Sequence, residues 1–372
     1  EVEVVCTRSV GDEVFNRVSY LFTPIDTAGL SAPVQELFAA TGLAYALTAV
    51  TPILEEQWQM LNSYTIGLST PQELALLGRG VSGGDKTHAV MTFSLQNDLD
   101  MSGVDFTPIG YYNYNQGNPI YHCFSGHFEG NGHTVSNLKA ERETSAGLFG
   151  AVGRLGTVTG LHLKDAVVAG SDHVGGLVGY CEGTLSDCTV RQSRITGDST
   201  VGGLAGGLYN RAAAIRCAAD CEVTANYEAG GFTGIIHYST VADSVAKGTI
   251  HAVKRPLAPG EAEPVGDPNY DDGHLPRFVG GFSASSYGQV HSCYADVYIQ
   301  THATAFLVGN FVGYNDGSLM NCYYNLDAGG QFKGVSEVYS KLEQADVKGL
   351  PRGDYDAALE DMLQIQRDAT KG

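Results

Sequence analysis

Apolar and polar positions along this chain alternate in short bursts rather than in helical runs. Through its middle, runs of three to six residues rich in Val, Ile, Thr and Leu, such as Thr189-Val190-Arg191 and Val223-Thr224, are separated by Gly, Asn and Asp. That is the pattern of strands and tight turns; helices would need ten or more residues free of such breaks. The bursts also recur in phase. Gly147-Leu148-Phe149-Gly150 returns as Gly176-Leu177-Val178-Gly179, Gly203-Leu204-Ala205-Gly206 and Gly231-Phe232-Thr233-Gly234, at spacings of 29, 27 and 28 residues. After an excess of 22 residues come Gly281-Phe282-Ser283-Ala284 and, 29 later, Asn310-Phe311-Val312-Gly313. A second marker trails most copies, as Leu185-Ser186-Asp187-Cys188, Ile215-Arg216-Cys217, Val241-Ala242-Asp243-Ser244, Val290-His291-Ser292-Cys293 and Leu319-Met320-Asn321-Cys322. Two markers in one phase predict an all-β solenoid, a right-handed parallel β-helix of about 28-residue coils. Equivalent residues then stack about 4.8 Å apart, glycines are expected at the tight corners, and cysteines 188, 217, 293 and 322 form a ladder of buried small side chains. Stacked Cβ vectors suit disulfide geometry poorly, so free thiols are expected there.

The flanks read differently. Thr70-Pro71-Gln72-Glu73 is a capping box with proline at the first helical position, predicting a helix over 73–77, and 89–95 reads as a strand. The uncharged run 37–54 holds Gly42 and Pro52 and is rich in Ala and Thr; it is too weak for a membrane span and reads as a buried amphipathic helix. Asp354 is placed to cap a helix over 355–367, with Ala358, Leu359, Met362, Leu363 and Ile365 on one face. The expected organisation is an unassigned N-terminal segment over 1–62, a β-helix over 63–330 with an insert at 255–277, and a helical cap over 331–372. Solenoid ends need cover against edge pairing.

Charge and composition narrow the function. The formal charge is −19, which opposes phosphate backbones and anionic lipid and disfavours nucleic-acid or membrane-surface roles. Glycine, 48 of 372 residues, is nearly twice the usual ~7% and shows no collagen period. Eight cysteines include no C-x-x-C pair and no zinc spacing. The chain opens at Glu1 without a start methionine or signal pattern, and reads as mature or trimmed.

Several blocks carry a family resemblance: Leu95-Gln96-Asn97-Asp98-Leu99-Asp100-Met101, Phe106-Thr107-Pro108-Ile109-Gly110, Phe124-Ser125-Gly126-His127-Phe128-Glu129-Gly130-Asn131-Gly132-His133-Thr134-Val135, and the glycine repeats ending in Asn321-Cys322-Tyr323. Over about 64–330 the chain resembles bacterial cell-surface proteins bearing the GLUG motif, named for its Gly-Leu-any-Gly repeat. The resemblance implies a secreted, adhesin-like β-helix; some relatives form non-catalytic regions of immunoglobulin-A-cleaving metallopeptidases. Residues 1–62 and the long insert depart from the family pattern.

Candidate chemistry is sparse. Gly80-Val81-Ser82-Gly83-Gly84 matches a hydrolase pattern, but a helix precedes it and a strand follows, the reverse of what a nucleophile elbow requires. Gly83-Gly84-Asp85-Lys86-Thr87 sets an acid where a phosphate loop wants none. No H-E-x-x-H occurs. His127 and His133 could pair on a metal, although glycine-flanked histidines more often hydrogen-bond. In the insert, which holds five of the twelve prolines, Asp267, Asn269, Asp271 and Asp272 set oxygen ligands in the manner of a calcium loop, with the glycine one residue late and Phe278 where glutamate is required. Calcium is thus the one candidate cofactor. Tyr111, Tyr112, Tyr114 and Tyr121 flank amide side chains in a composition suited to sugar or protein contacts. Asp187, Arg216, Asp243, Ser292 and Asn321 should face outward, giving a charge ladder rather than a close carboxylate pair. The expectation is a non-catalytic extracellular protein of the bacterial cell surface that binds a host or neighbouring-cell protein or glycan through its loops. A carbohydrate-active lyase or hydrolase and a subunit that self-assembles through 1–62 are the alternatives.

Overall fold

The computed structural model describes residues 2–10, 13–24, 45–52, 65–86, 88–114, 120–253, 276–302, 305–329, 332–338 and 345–369. From Thr65 to Leu350 the chain winds into a parallel β-solenoid of about nine turns. One column of strands runs its length in register: Ile66 pairs with Phe93, Phe93 with Phe128, Phe128 with Val158, Val158 with Leu185, Leu185 with Ala214, Ala214 with Val241, Val241 with Val290 and Val290 with Leu319. Side chains alternate in and out along each strand, so every inward column is continuous. The second residue of each glycine repeat forms one such column, from Leu148 through Leu177 and Leu204 to Phe232, Phe282 and Phe311, all fully buried. Its last three rings stack at 4.7 and 5.0 Å, tilted by 8° and 10°. Burying each such side chain contributes roughly 1.5–3 kcal/mol, and the column delivers that once per coil.

The repeat glycines have a different task from the one expected. Gly147, Gly176, Gly203, Gly231 and Gly281 all lie outside the positive-φ region. They are glycine because the next backbone passes over them: a Cβ would stand 2.6 Å from the Gly203 carbonyl at Gly176, 2.2 Å from the Gly281 carbonyl at Gly231 and 2.0 Å from the Asn310 carbonyl at Gly281. The corner with φ of 51–56° belongs instead to Asp187, Arg216, Asp243, Ser292 and Asn321. Non-glycine residues adopt that conformation at a cost, and the stack offsets it. Each corner N–H donates to the following coil, Asp187 to the Ile215 carbonyl, Arg216 to Ala242, Asp243 to His291 and Ser292 to Met320, at 3.0–3.1 Å.

Immediately after each corner residue comes the cysteine ladder. Cys188, Cys217, Cys293 and Cys322 are buried free thiols, and each donates to the carbonyl two residues back, at 3.2–3.4 Å. Ser244 holds the equivalent place in the remaining coil and makes the same bond at 2.7 Å. Burial pushes the Cys322 thiol up to about 12 and those of Cys217 and Cys293 well above the ordinary range. With all four side chains buried, a thiol reagent at pH 8 should leave them unlabelled in the folded chain and label them on unfolding. Cys217→Ser, which copies Ser244, should cost no more than about 1 kcal/mol, measured by denaturant unfolding.

The flanks correct two expectations. Tyr45–Pro52, inside the run read as a helix, is a strand in an antiparallel sheet with Val2–Val10 and Glu13–Pro24. Its Tyr, Val and two threonines favour a pleated backbone over a helix, and Pro52 sits at its end; residues 37–44 lie outside the described residues. At the other end, Lys333–Val338 and Ala345–Leu350 are strands that extend the solenoid before the helix Arg352–Ala369. That helix lies along the flank: Tyr355, Leu359 and Met362 bury against Val245 and Tyr294, and the Tyr294 hydroxyl donates to the Ala358 carbonyl at 3.0 Å. At the N-terminal end the capping box forms as expected, Thr70 Oγ1 accepting from the Glu73 N–H at 3.2 Å. Its helix runs on to Ser82 because Gly78 lets it pack on the Thr107 carbonyl, 2.1 Å from where a Cβ would stand.

Candidate ligand-binding face

The tyrosine-rich segment forms an antiparallel hairpin, Tyr111–Asn113 with Ile120–His122, in which Tyr112 pairs with Tyr121. Tyr112 packs edge-on against Tyr121 at 5.2 Å and stacks on Tyr180, 3.8 Å away and tilted by 12°. Tyr180 in turn stacks on Tyr209 at 4.8 Å. The series continues through His237, Tyr287 and Tyr314 at 6.0, 5.8 and 5.6 Å. Two of the four tyrosines singled out by sequence thus begin an aromatic stripe that crosses successive coils. Tyr111 and Tyr114 do not join it: the Arg142 guanidinium covers the Tyr111 ring at 4.6 Å, and Tyr114 stands 67% exposed. Tyr238, 69% exposed, lies edge-on to His237 at 4.3 Å and extends the stripe sideways.

Tyr180, Tyr209, His237, Tyr287 and Tyr314 lie on the strands that carry the last residue of each repeat unit; Tyr180 is buried and the other four are half-buried. Space beneath them comes from small residues: Gly207 leaves room for the Tyr209 ring, whose Cε2 a Cβ would meet at 2.4 Å. Burial pushes the Tyr112 phenol up to about 12 and those of Tyr180 and Tyr209 well above the ordinary range, so all three hydroxyls stay protonated. Tyr180 donates to Glu182 at 2.8 Å.

A polar row borders the rings. His173, itself at a left-handed corner with φ of 54°, contacts Tyr112, Tyr180 and Tyr209. Its Nδ1 lies 2.7 Å from Asp172 and its Nε2 2.8 Å from the Tyr209 hydroxyl. Burial works to raise the Asp172 carboxyl, but the hydrogen bonds and charge of His173 outweigh it and hold the group below its ordinary range. Glu228 is driven the other way, up to about 7, by burial and then by the Asp172 charge; Thr200 Oγ1 donates to it at 3.4 Å. The folded chain therefore holds the Glu228 proton more tightly than the unfolded chain does. The resulting penalty is absent below about pH 4.5 and fully present above about pH 7, where it amounts to about 3 kcal/mol. Glu228→Gln should raise Tm at pH 8 and leave it nearly unchanged at pH 4; equal shifts at both pH values would contradict this.

The other sequence candidates fall elsewhere. Asp267, Asn269, Asp271 and Asp272 lie outside the described residues. Among the described residues no three His, Cys, Asp or Glu side chains gather as a metal site; His127 turns to Thr157 and Glu129, whereas His133 turns to Asp98. Ser82 donates its hydroxyl to the Pro108 and Gly110 carbonyls, which leaves it structural. The charge ladder forms in part: Arg216 binds Asp187 through two bonds of 2.7 Å.

No protein-family model matches the chain. Halomucin from Haloquadratum walsbyi is 37% identical over 131 residues, 32% of this chain. The chain spans about 1% of the length of that protein. The crystal structure of a candidate immunoglobulin A1 protease from Bacteroides ovatus superposes with a TM-score of 0.58, at 15% identity, over 80% of this chain and 87% of the other. At that identity the likeness is one of fold. It joins the expected link to immunoglobulin-A-cleaving proteins at the level of architecture, a parallel β-solenoid.

Proposed function

We propose that this chain is a non-catalytic, adhesin-like protein of the bacterial cell surface that binds a glycan laid along the aromatic stripe. The stripe itself carries the reading: a series of rings from Tyr121 to Tyr314, with Tyr121 and Tyr238 standing exposed and hydrogen-bonding groups alongside, offers the apolar ring surfaces and directional polar partners that sugar rings use. The motif resemblance to GLUG proteins and the local likeness to halomucin support an extracellular setting. The buried, high-pKa thiols are compatible with an oxidising one, because they present no thiolate for exchange. Binding of the purified chain to an array of glycans and matrix proteins, with and without EDTA, tests the reading. Glycan hits that survive EDTA are expected. Hits on matrix proteins alone would replace the glycan by a protein ligand, and hits lost with EDTA and in Asp267→Ala would move recognition to the insert.

One observation favours the enzymatic alternative. Asp172 and Glu228 stand beside the stripe with affinities for protons driven apart, the arrangement that separates a base from an acid. Release of reducing ends from a bound glycan, abolished in Glu228→Gln, would establish it in place of simple binding.

A further inference from the structure

We infer that a second face of the solenoid is an independent binding groove for a linear polysaccharide without anionic groups. The groove lies on a different column of strands from the aromatic stripe. It is built where Thr189–Gly197, Ala218–Ala225, Val245–Ala252 and Tyr294–Thr301 bend at mid-length. The bend has local causes. Gln192 takes a φ of 52° at a bulge between Arg191 and Ser193. Gly248 takes a φ of 111° and passes so close to the coil before it that a Cβ would stand 2.1 Å from the Cys221 carbonyl. At the apex Ser193 and Cys221 turn inward and are buried, so the two arms of each strand enclose an open trough of about 640 Å³.

The floor is a single register column, Val167, Arg194, Glu222, Thr249 and Tyr298, each paired with the next. It therefore offers one side chain per coil along a straight line, at steps of about 4.8 Å. Along that line come an exposed methyl surface at Val167, a guanidinium, a carboxylate, a hydroxyl, and the Tyr298 ring, 52% exposed. Arg194 and His251 both reach Glu222, at 3.2 and 3.5 Å, which fixes the acid in place. Gln192 and Gln300 add amides to the lining. A chain that presents hydroxyls and a small apolar face at regular intervals fits this sequence of groups.

Two observations set the class of ligand. Thr189–Gly197, Ala218–Ala225 and Val245–Ala252 are paired on both sides within the solenoid, so over these coils a peptide finds no free backbone edge on which to add as a strand. The acids Asp165, Asp220 and Glu222 face the trough against Arg194 and His251, in a chain of net charge −19, so uronate or sulfate chains and nucleic acids meet like charge.

Affinity electrophoresis of the full chain through gels containing a β-glucan, a mannan, a xylan, or polygalacturonate as the anionic control tests the inference. At least one neutral polymer should retard the chain and polygalacturonate should not. In the Tyr121→Ala, Tyr238→Ala chain, which lacks the exposed rings of the stripe, retardation should persist, and adding Tyr298→Ala should weaken it about tenfold; all three residues are exposed, and an unchanged melting curve checks the fold. Retardation by none of the neutral polymers overturns the groove. Retardation lost in the Tyr121→Ala, Tyr238→Ala chain but kept in Tyr298→Ala alone also overturns it, while leaving the stripe as the glycan site. Loss in both of these would mean one ligand spans both faces, which overturns independence. The reverse result, loss on adding Tyr298→Ala with no glycan lost in the Tyr121→Ala, Tyr238→Ala chain on any array, keeps the groove and removes the stripe.

Discussion

Tyr121→Ala and Tyr238→Ala are each expected to weaken glycan binding about tenfold, and the double variant about a hundredfold, with no change in Tm. Tyr121 stands at the start of the stripe and Tyr238 beside its midpoint at His237, and they are 57% and 69% exposed, so their loss removes ligand contact without opening the core. Truncating an aromatic anchor at an interface costs more than about 1 kcal/mol, and each tenfold step is 1.4 kcal/mol. The sites share no partner, since Tyr121 packs on Tyr112 and Tyr238 on His237, so their effects should add. Additivity is the informative part. It requires one ligand to touch both rings, several coils apart, and thus an extended glycan rather than a terminal sugar. Binding lost with Tyr121 alone would restrict the site to the hairpin. Full binding by the double variant would remove the stripe as the site, and isothermal titration of the three variants separates these results.

Gly281→Ala should destabilise the solenoid by about 3 kcal/mol or more, although it adds one methyl group and asks for no unusual backbone angle. The added carbon would stand 2.0 Å from the Asn310 carbonyl, a backbone atom held by the pairing of Phe278–Gly280 with Leu307–Asn315. Relief requires two coils to separate, which exceeds ordinary overpacking of a core, about 1–3 kcal/mol. Gly103→Ala is the control. Its Cβ meets nothing within 4 Å, but its φ is 73°, so only backbone strain of order 1 kcal/mol is added. Because each coil leans only on its neighbours, Gly281→Ala should split the melting curve, with the C-terminal coils unfolding first. A single unshifted transition would mean that the coil spacing yields to the extra carbon.

The repeat phase was fully legible, because a column of identical environments selects the same residue in each coil: leucine or phenylalanine inward, cysteine or serine behind the corner. What glycine does there was not legible. Close approach and positive φ both demand a residue without Cβ, and sequence alone does not separate them; Asp187 and Arg216 at the true corners show which applied. Asn310 breaks the glycine series where the pairing with Lys333–Val338 shifts register between Gly309 and Val312, and its amide donates to the Phe332 carbonyl at 2.6 Å. The stripe was half seen. Tyr112 and Tyr121 drew attention as a cluster, whereas Tyr180, Tyr209, His237, Tyr287 and Tyr314 are scattered singly. They follow the last residue of their Gly-x-x-Gly units by one or three positions, offsets that share a face only once the segment is known to be a strand. Tyr45–Pro52 was misread because an apolar run without clear period fits either element, and its threonines decide the matter only in combination.

The floor and stripe columns have a consequence for how such a chain changes over generations. Glu228 pairs with Phe278 even though the 22-residue excess lies between them, so register survives whatever leaves and rejoins at that corner. Whole coils can be duplicated or deleted on the same terms. Each duplication would lengthen both surfaces by one step of about 4.8 Å without redesigning either. On the proposed reading, the number of coils is then a ruler for how long a polymer the two surfaces would span.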